Sequence, residues 1–191
     1  MSIATKRGDK GTTGLLYGGR VRKDSLRIEC NGAVDEAQAF LGMARATLAS
    51  GKEGGPSGFS RSRLDEILVG LERDLWVLMA EVATTPAKRP RLVTGSSLVS
   101  GEMLARLDGL VAELEAADVM PSEFVVPGQS PAAATLDVAR AVVRRAERRA
   151  VALDPGGDSL VVPYLNRLSD LCWLLARAVE KSHLTARKKA S

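Results

Sequence analysis

Residues 62–84 carry Leu64, Ile67, Leu68, Leu71, Leu75, Leu78, Met79 and Val82. Steps of one, three and four residues bring these side chains onto one face of an α-helix. A helix with so long an apolar face must bury it against other elements, and the rest of the chain offers further helices as partners. Residues 33–49 align Val34, Ala37, Leu41, Ala44 and Leu48, and residues 101–117 align Leu104, Leu107, Leu110, Val111 and Leu114. Residues 131–153 space Leu136, Ala139, Val143, Ala146, Ala150 and Leu153 in the manner of bundle packing. Residues 162–180 align Tyr164, Leu168, Leu171, Leu175 and Ala178.

The breakers fall between these stripes. GKEGGPSG (51–58), TTPAKRPRLVTGSS (84–97), MPSEFVVPGQSP (120–131) and DPGGD (154–158) separate the helices, and Ser130 before Pro131 reads as an N-cap followed by a first-turn proline. There is no internal repeat and no alternation of strand and helix. The expected fold is all-α: a five-helix bundle with a glycine-rich N-terminal arm, forming one domain over residues 1–191. Residues 1–32 would be the arm, 33–180 the bundle and 181–191 a flexible basic tail.

Composition narrows the chemistry. With 45% hydrophobic and 26% charged residues the chain is no disordered segment. No apolar run reaches the ~18 residues of a membrane span, and the opening MSIATKRGDKG has no signal-peptide core. Two cysteines, Cys30 and Cys172, and one histidine, His183, leave no disulfide scaffold and no four-ligand Cys/His zinc site. His183 stands in the charged segment KSHLTARKKAS, a poor setting for the base of a Ser-His-Asp triad. Free thiols suggest a cytoplasmic compartment.

Charge is concentrated. Residues 1–27 hold seven basic groups against two acids, interleaved with Gly8, Gly11, Gly14, Gly18 and Gly19. Backbone N–H groups freed by glycine, the hydroxyls of Thr5, Thr12 and Thr13, and the ammonium groups of Lys6 and Lys10 have the makings of a polyphosphate cradle. The stretch matches neither a Walker A loop nor a dinucleotide fingerprint, and a flexible basic terminus is the competing reading. In RAVVRRAERRA, Arg140, Arg144 and Arg148 recur every four residues on one helix face, with Glu147 in reach of Arg144. Guanidinium forks suit phosphate, although a solvated stripe has the same pattern. On the fifth helix Asn166, Arg167 and Asp170 lie opposite the leucine stripe, and could orient a ribose, a magnesium-bound water or an arginine, or simply face water. Asp35 and Glu36 read as acids favoured at a helix start. Phe124 is a lone loop aromatic. The last basic cluster is the tail: Lys181, Arg187, Lys188 and Lys189.

Taken in order, TKRGDKGTTGLLYGGRVRKD, GAVDEAQAFLGMARA, FVVPGQSPAAATLDVARAVVRRAERR and YLNRLSDLCWLLAR resemble the propanediol-utilisation-type (PduO-type) ATP:cob(I)alamin adenosyltransferases, from about Thr5 to about Glu180. The resemblance implies a homotrimer with sites between neighbouring subunits. It also implies magnesium-assisted transfer of the 5′-deoxyadenosyl group of ATP to the cobalt of a reduced corrinoid, giving adenosylcobalamin and triphosphate. By position, it assigns ATP binding to Thr5, Lys6, Arg7, Gly8, Asp9, Lys10, Gly11, Thr13, Gly14 and Lys23 on the arm, and to Arg144, Arg145, Glu147, Arg148 and Asn166. Arg140 would pair with Asp35 of a neighbour, Asp170 would support that network, and Phe124 would face the corrinoid. A corrinoid reductase and an adenosylcobalamin-dependent enzyme are the implied partners, with no nucleic acid and no membrane. Cobalt(I) is the nucleophile in such a reaction, which suits a chain without a triad. Arg7 replaces a small polar residue usual in the family, Ala37 a common leucine, and Gln129 a glycine; Gln129 cannot take a positive φ as cheaply, which bears on the Phe124 loop. A non-catalytic corrinoid carrier of the same fold, and a basic helical module for an acidic partner, are the alternatives.

Overall fold

The computed structural model describes residues 4–51, 55, 56, 59–180 and 182–186. Its five α-helices are α1 Leu26–Ser50, α2 Arg61–Val82, α3 Gly101–Ala116, α4 Pro131–Leu153 and α5 Val161–Ala178, with a short 3-10 helix over Pro86–Arg91. The expected N-cap is present: Ser130 Oγ accepts from the Ala133 N–H at 3.2 Å, with Pro131 in the first turn.

Several boundaries differ from the periodicity. The chain is not wholly α: strands β1 Thr12–Gly14 and β2 Arg20–Arg22 form an antiparallel ribbon, registering Thr12 with Arg22 and Gly14 with Arg20. Tyr17, Gly18 and Gly19 take φ of 64°, 90° and 92°, which reverses the chain and lets the arm satisfy its own backbone polar groups. Helix α1 starts at Leu26, ahead of the expected residue 33, because Cys30 extends the buried stripe one turn upstream of Val34. Asp35 and Glu36 therefore lie in mid-helix, and the preference of acids for a helix start does not account for them. Helix α2 stops at Val82, since Thr85 precedes a proline and takes an extended conformation, and α5 stops at Ala178. The 3-10 helix occupies part of the stretch read as a breaker.

The helices close into a ring. Antiparallel α1 and α2 are stitched by Asn31 Nδ2 to the Met79 carbonyl (2.9 Å), Gln38 Nε2 to the Glu72 carbonyl (2.8 Å) and the Arg45–Asp65 ion pair (2.6 Å). Helix α4 runs antiparallel to α1 on its other side, with Arg145 bonded to Glu36 and Arg149 3.6 Å from Glu29. Helix α5 runs antiparallel to α4 and packs on α3. Helices α3 and α2 are joined through side chains: Arg63–Glu113 at 2.5 Å, and Asp74, which accepts from Arg106 and from the Tyr164 hydroxyl (2.7 Å). The core is mainly leucine, valine and alanine, including fully buried Leu41, Leu75, Leu107, Leu165 and Ala146.

This order gives the bundle two unlike ends. The ribbon, the start of α1, the end of α2 and the 3-10 helix share one. The start of α4, the end of α5, the Phe124 loop and residues 182–186 share the other. The basic-tail residues Lys181, Arg187, Lys188 and Lys189 lie outside the described residues. Among the described residues no helix is long and apolar enough to cross a membrane.

Leu41 is fully buried on α1, which packs against both α2 and α4. Leu41→Ala is expected to lower unfolding stability by about 2–5 kcal/mol, measured by denaturant titration against the parent chain.

Candidate functional site

The arm closes on itself through its own backbone turns. Lys6 and Gly11 take positive φ (56° and 75°), and the turns between them close through the Asp9 N–H to the Lys6 carbonyl (3.3 Å) and the Gly11 N–H to the Gly8 carbonyl (3.1 Å). The Lys23 N–H donates to the Gly11 carbonyl at 2.9 Å. Its ammonium passes so close to Gly8 that a Cβ there would lie 2.9 Å from Nζ and would push the tip of the lysine aside. Arg20 clamps the loop from behind, donating to the Arg7 carbonyl at 2.7 Å and the Thr12 carbonyl at 3.0 Å. Thr5, Lys6, Arg7, Asp9, Lys10, Gly11, Gly14 and Lys23 are exposed, with Gly8 and Thr13 half-buried. Lys6, Arg7, Lys10 and Lys23 have no ion-pair partner among the described residues.

The ribbon is docked on the end of α2. The Leu16 N–H donates to the Ala83 carbonyl (3.1 Å), and the Tyr17 hydroxyl donates to the Arg91 carbonyl (3.1 Å), with the Arg91 guanidinium stacked over its ring. Arg27 reaches from α1 to the Val82 and Thr84 carbonyls, and burial draws its pKa below the usual arginine range. The sequence counts Arg20 and Arg27 only as part of the basic cluster and does not single out Tyr17. The roles of Tyr17 and Arg27 depend on carbonyls distant in the chain, which no local pattern announces.

On α4 the arginines divide. Arg145 is bonded to Glu36 and Arg149 approaches Glu29. Arg144 and Arg148 are exposed and have no ion pair among the described residues. Glu147 does not pair with Arg144, as its spacing suggested; half-buried beside α5, it accepts from Asn166 Nδ2 at 3.0 Å. Arg140 Nε lies 3.3 Å from Asp137 within its own helix, while Asp35 on α1 is exposed and has no ion pair among the described residues. Asp170 lies 3.3 Å from Arg167, which also holds Asp108 of α3 at 2.5 Å. Within one chain, then, Asn166 and Asp170 serve different partners, and Arg140 and Asp35 do not meet.

Phe124 is 89% exposed, so it anchors nothing in the loop. With Pro121, Ser122, Glu123, Trp173 and Ala186 it lines a cavity of about 580 Å³. The loop backbone is held from outside: the Val126 N–H donates to the Leu184 carbonyl and the Ala186 N–H to the Phe124 carbonyl, both at 2.7 Å. Gly128 takes the positive φ (112°) in this loop, so Gln129 is spared the left-handed conformation.

Beneath these surfaces lies a buried charged cluster that the sequence reading passed over. Arg177, 2% exposed, bonds Asp137 at 2.6 Å and Glu180 at 3.0 Å. The signal was an arginine set inside the apolar run LLARAV. Both cysteines are buried, which pushes the Cys30 thiol up to about 11 and the Cys172 thiol up to about 12. Neither offers a nucleophile near neutral pH. The arrangement presents exposed cations and an exposed aromatic cavity, a set suited to binding and positioning an anionic ligand rather than to side-chain nucleophilic chemistry.

At pH 8 the native chain should resist a colourimetric disulfide reagent at both thiols and react at both after denaturation. Because burial favours the neutral thiols, their contribution to stability is full below the usual thiol range. It should decline as pH rises toward 12, a loss readable as a falling melting temperature in alkaline buffers.

Comparison with known proteins bears on what such a surface serves. A family model described as cobalamin adenosyltransferase matches residues 3–179. The corrinoid adenosyltransferase of Bacillus subtilis is 38% identical over 181 residues, covering 94% of this chain and 86% of that one. The corrinoid adenosyltransferase of Citrobacter freundii is 34% identical over 183 residues, covering 93% and 94%. A variant of the PduO-type ATP:corrinoid adenosyltransferase from Lactobacillus reuteri, solved in complex with cobalamin and ATP, superimposes with a TM-score of 0.81 at 25% identity and 97% coverage of both chains.

Proposed function

The chain belongs to the cobalamin adenosyltransferase family, and from this we infer that it is an enzyme that transfers the 5′-deoxyadenosyl group of ATP to the cobalt of a reduced corrinoid. The cobalt–carbon bond forms as the bond between C5′ and the triphosphate oxygen breaks, and triphosphate leaves. The observation on this chain that carries the reading is a pair of exposed arginines, Arg144 and Arg148, without an ion pair among the described residues, beside a helix α1 whose acid Glu36 is already committed to Arg145.

In this reading the arm receives the nucleotide. The backbone around Gly8, Gly11 and Gly14, with the hydroxyls of Thr5 and Thr13, accommodates the phosphates, and Lys6, Arg7, Lys10 and Lys23 neutralise them. Asp9 caps the loop. Arg144 and Arg148 take the charge that develops on the departing triphosphate, with Arg145, Glu147 and Asn166 fixing the angle of the helix face beside it. Magnesium would be held mainly by the ATP phosphates. Phe124 and its cavity offer an apolar wall to the corrinoid.

The same geometry supports a site shared between copies. The arm lies beyond one end of the bundle and Phe124 beyond the other, separated by the 23 residues of α4, on the order of 35 Å at 1.5 Å per residue. Reactants brought into contact therefore draw the arm and the Phe124 cavity from different subunits, as in a homotrimer with Asp35 of one chain paired to Arg140 of the next and Asp170 buttressing that contact. A reductase that supplies cobalt(I) and an enzyme that consumes the product are the partners this chemistry requires.

An anaerobic assay with ATP, magnesium and chemically reduced cobalamin should show adenosylcobalamin and triphosphate forming together. Arg144→Ala should slow transfer at least ~100-fold while corrinoid binding persists. Retained turnover would remove Arg144 from the reaction, and binding without turnover in the parent chain would favour a corrinoid carrier.

Mixing provides a separate test of the shared site. Lys10→Ala and Arg144→Ala chains, each impaired alone, should recover about a quarter of parental activity after co-refolding, since random assembly joins an intact arm to intact arginines at that frequency. No recovery would place both groups in a single-chain site.

A further inference from the structure

Arg177 is the most buried cation among the described residues, and nothing in the proposed transfer uses it directly. A buried guanidinium is costly unless its neighbours are committed to it, and here they are. Its Nη2 bonds Asp137 Oδ2 at 2.6 Å, and Asp137 Oδ1 is the atom that faces Arg140 Nε. Its Nε and Nη2 each lie 3.0 Å from an oxygen of Glu180, whose side chain is fully buried, and Glu180 Oε2 is 3.0 Å from His183 Nδ1. Its guanidinium carbon sits 5.6 Å from the centre of the Trp173 ring, a wall of the Phe124 cavity.

These contacts run in three directions. Through Asp137 they reach the arginine face of α4. Through Trp173 they reach the cavity wall. Through Glu180 and His183 they reach residues 182–186, whose backbone pairs with Phe124 and Val126. Resting on the functional reading above, we propose that Arg177 is a positioning residue that locks the arginine face of α4 and the Phe124 cavity into one mutual arrangement, so that the nucleotide half and the corrinoid half of the machinery cannot shift independently. A fork that holds two carboxylates at once is what arginine provides and lysine does not.

The test separates the branches. Asp137→Asn cuts the branch toward Arg140, Glu180→Gln cuts the branch toward residues 182–186, and Arg177→Lys weakens both. Each should lower kcat/KM for the corrinoid about three- to tenfold, and the double variant Asp137→Asn/Glu180→Gln should fall well short of the product of the single effects. Hydrogen exchange gives a readout that needs no turnover. The Val126 and Ala186 amides should exchange at least ~10-fold faster in Asp137→Asn, although that change lies on another helix, while the Leu75 amide in the core of α2 keeps its parental rate.

Multiplying single effects would overturn the proposal, as would unchanged exchange at Val126 and Ala186 in Asp137→Asn, or exchange rising equally at Leu75. If Arg177→Lys does not fold, the Asp137 and Glu180 cycle decides alone. A parent chain that transfers no adenosyl group overturns the functional reading, whereas the exchange result judges the coupling whatever the activity.

Discussion

The close packing of α1 against α4 governs most of the molecule. Both helices bury small residues: Ala33, Ala37 and Ala44 on one, and Ala132, Ala133, Ala139, Ala146 and Ala150 on the other. Small side chains let the two backbones approach, and the approach fixes the antiparallel register that joins Glu36 to Arg145 and brings Glu29 to Arg149. With those arginines held, Arg144 and Arg148 turn to the outer face. The register also sends the start of α1, with its ribbon, to the end of the bundle where α4 finishes. Ala37 belongs to this seam and is fully buried in it.

Around that seam, polar groups rather than further apolar area decide how the ends are built. Glu81 is 2% exposed and accepts from Arg89 (2.7 Å), the Val99 N–H (2.8 Å) and the Ser159 hydroxyl (2.6 Å). One carboxylate thereby ties the end of α2 to the 3-10 helix, the approach to α3 and the approach to α5. The platform it organises is where Leu16, Tyr17 and Arg27 dock the arm. At the opposite end Arg177 performs the equivalent task with the charges reversed. In both places removing one partner would strand a buried charge, a cost larger than the pair itself contributes.

The sequence was informative where the physics is local. Leucine stripes with steps of three and four located all five helices, and Ser130 with Pro131 located the start of α4. It was less informative where a side chain answers to something distant. Cys30 reads from the sequence only as a free thiol, and folding makes it the first buried position of α1. The ribbon depends on the Ala83 carbonyl, so glycine content alone read as a loose arm. Glu147 had an arginine three residues away and took an asparagine on another helix instead. The candidate residues on the arm and on α4 were legible as a basic, phosphate-friendly set, and the family likeness sharpened them. Which arginines lack an ion pair among the described residues was not legible, because that follows from Glu29 and Glu36 on α1 brought alongside by folding.

The pairing of residues 182–186 with the Phe124 loop also sets an order of events. Every helix of the bundle precedes those residues in the chain, and α4 and α5 must both be in place before the loop meets its pairing strand. Antiparallel docking of α4 on α5 sets Val125 and Thr185 side by side, so their bridge closes at little further entropic cost, but only once those two helices have packed. The cavity is therefore the last compartment to be completed, and a nascent bundle would pass through a stage in which its fold is nearly finished but its apolar mouth stands open to whatever is nearby.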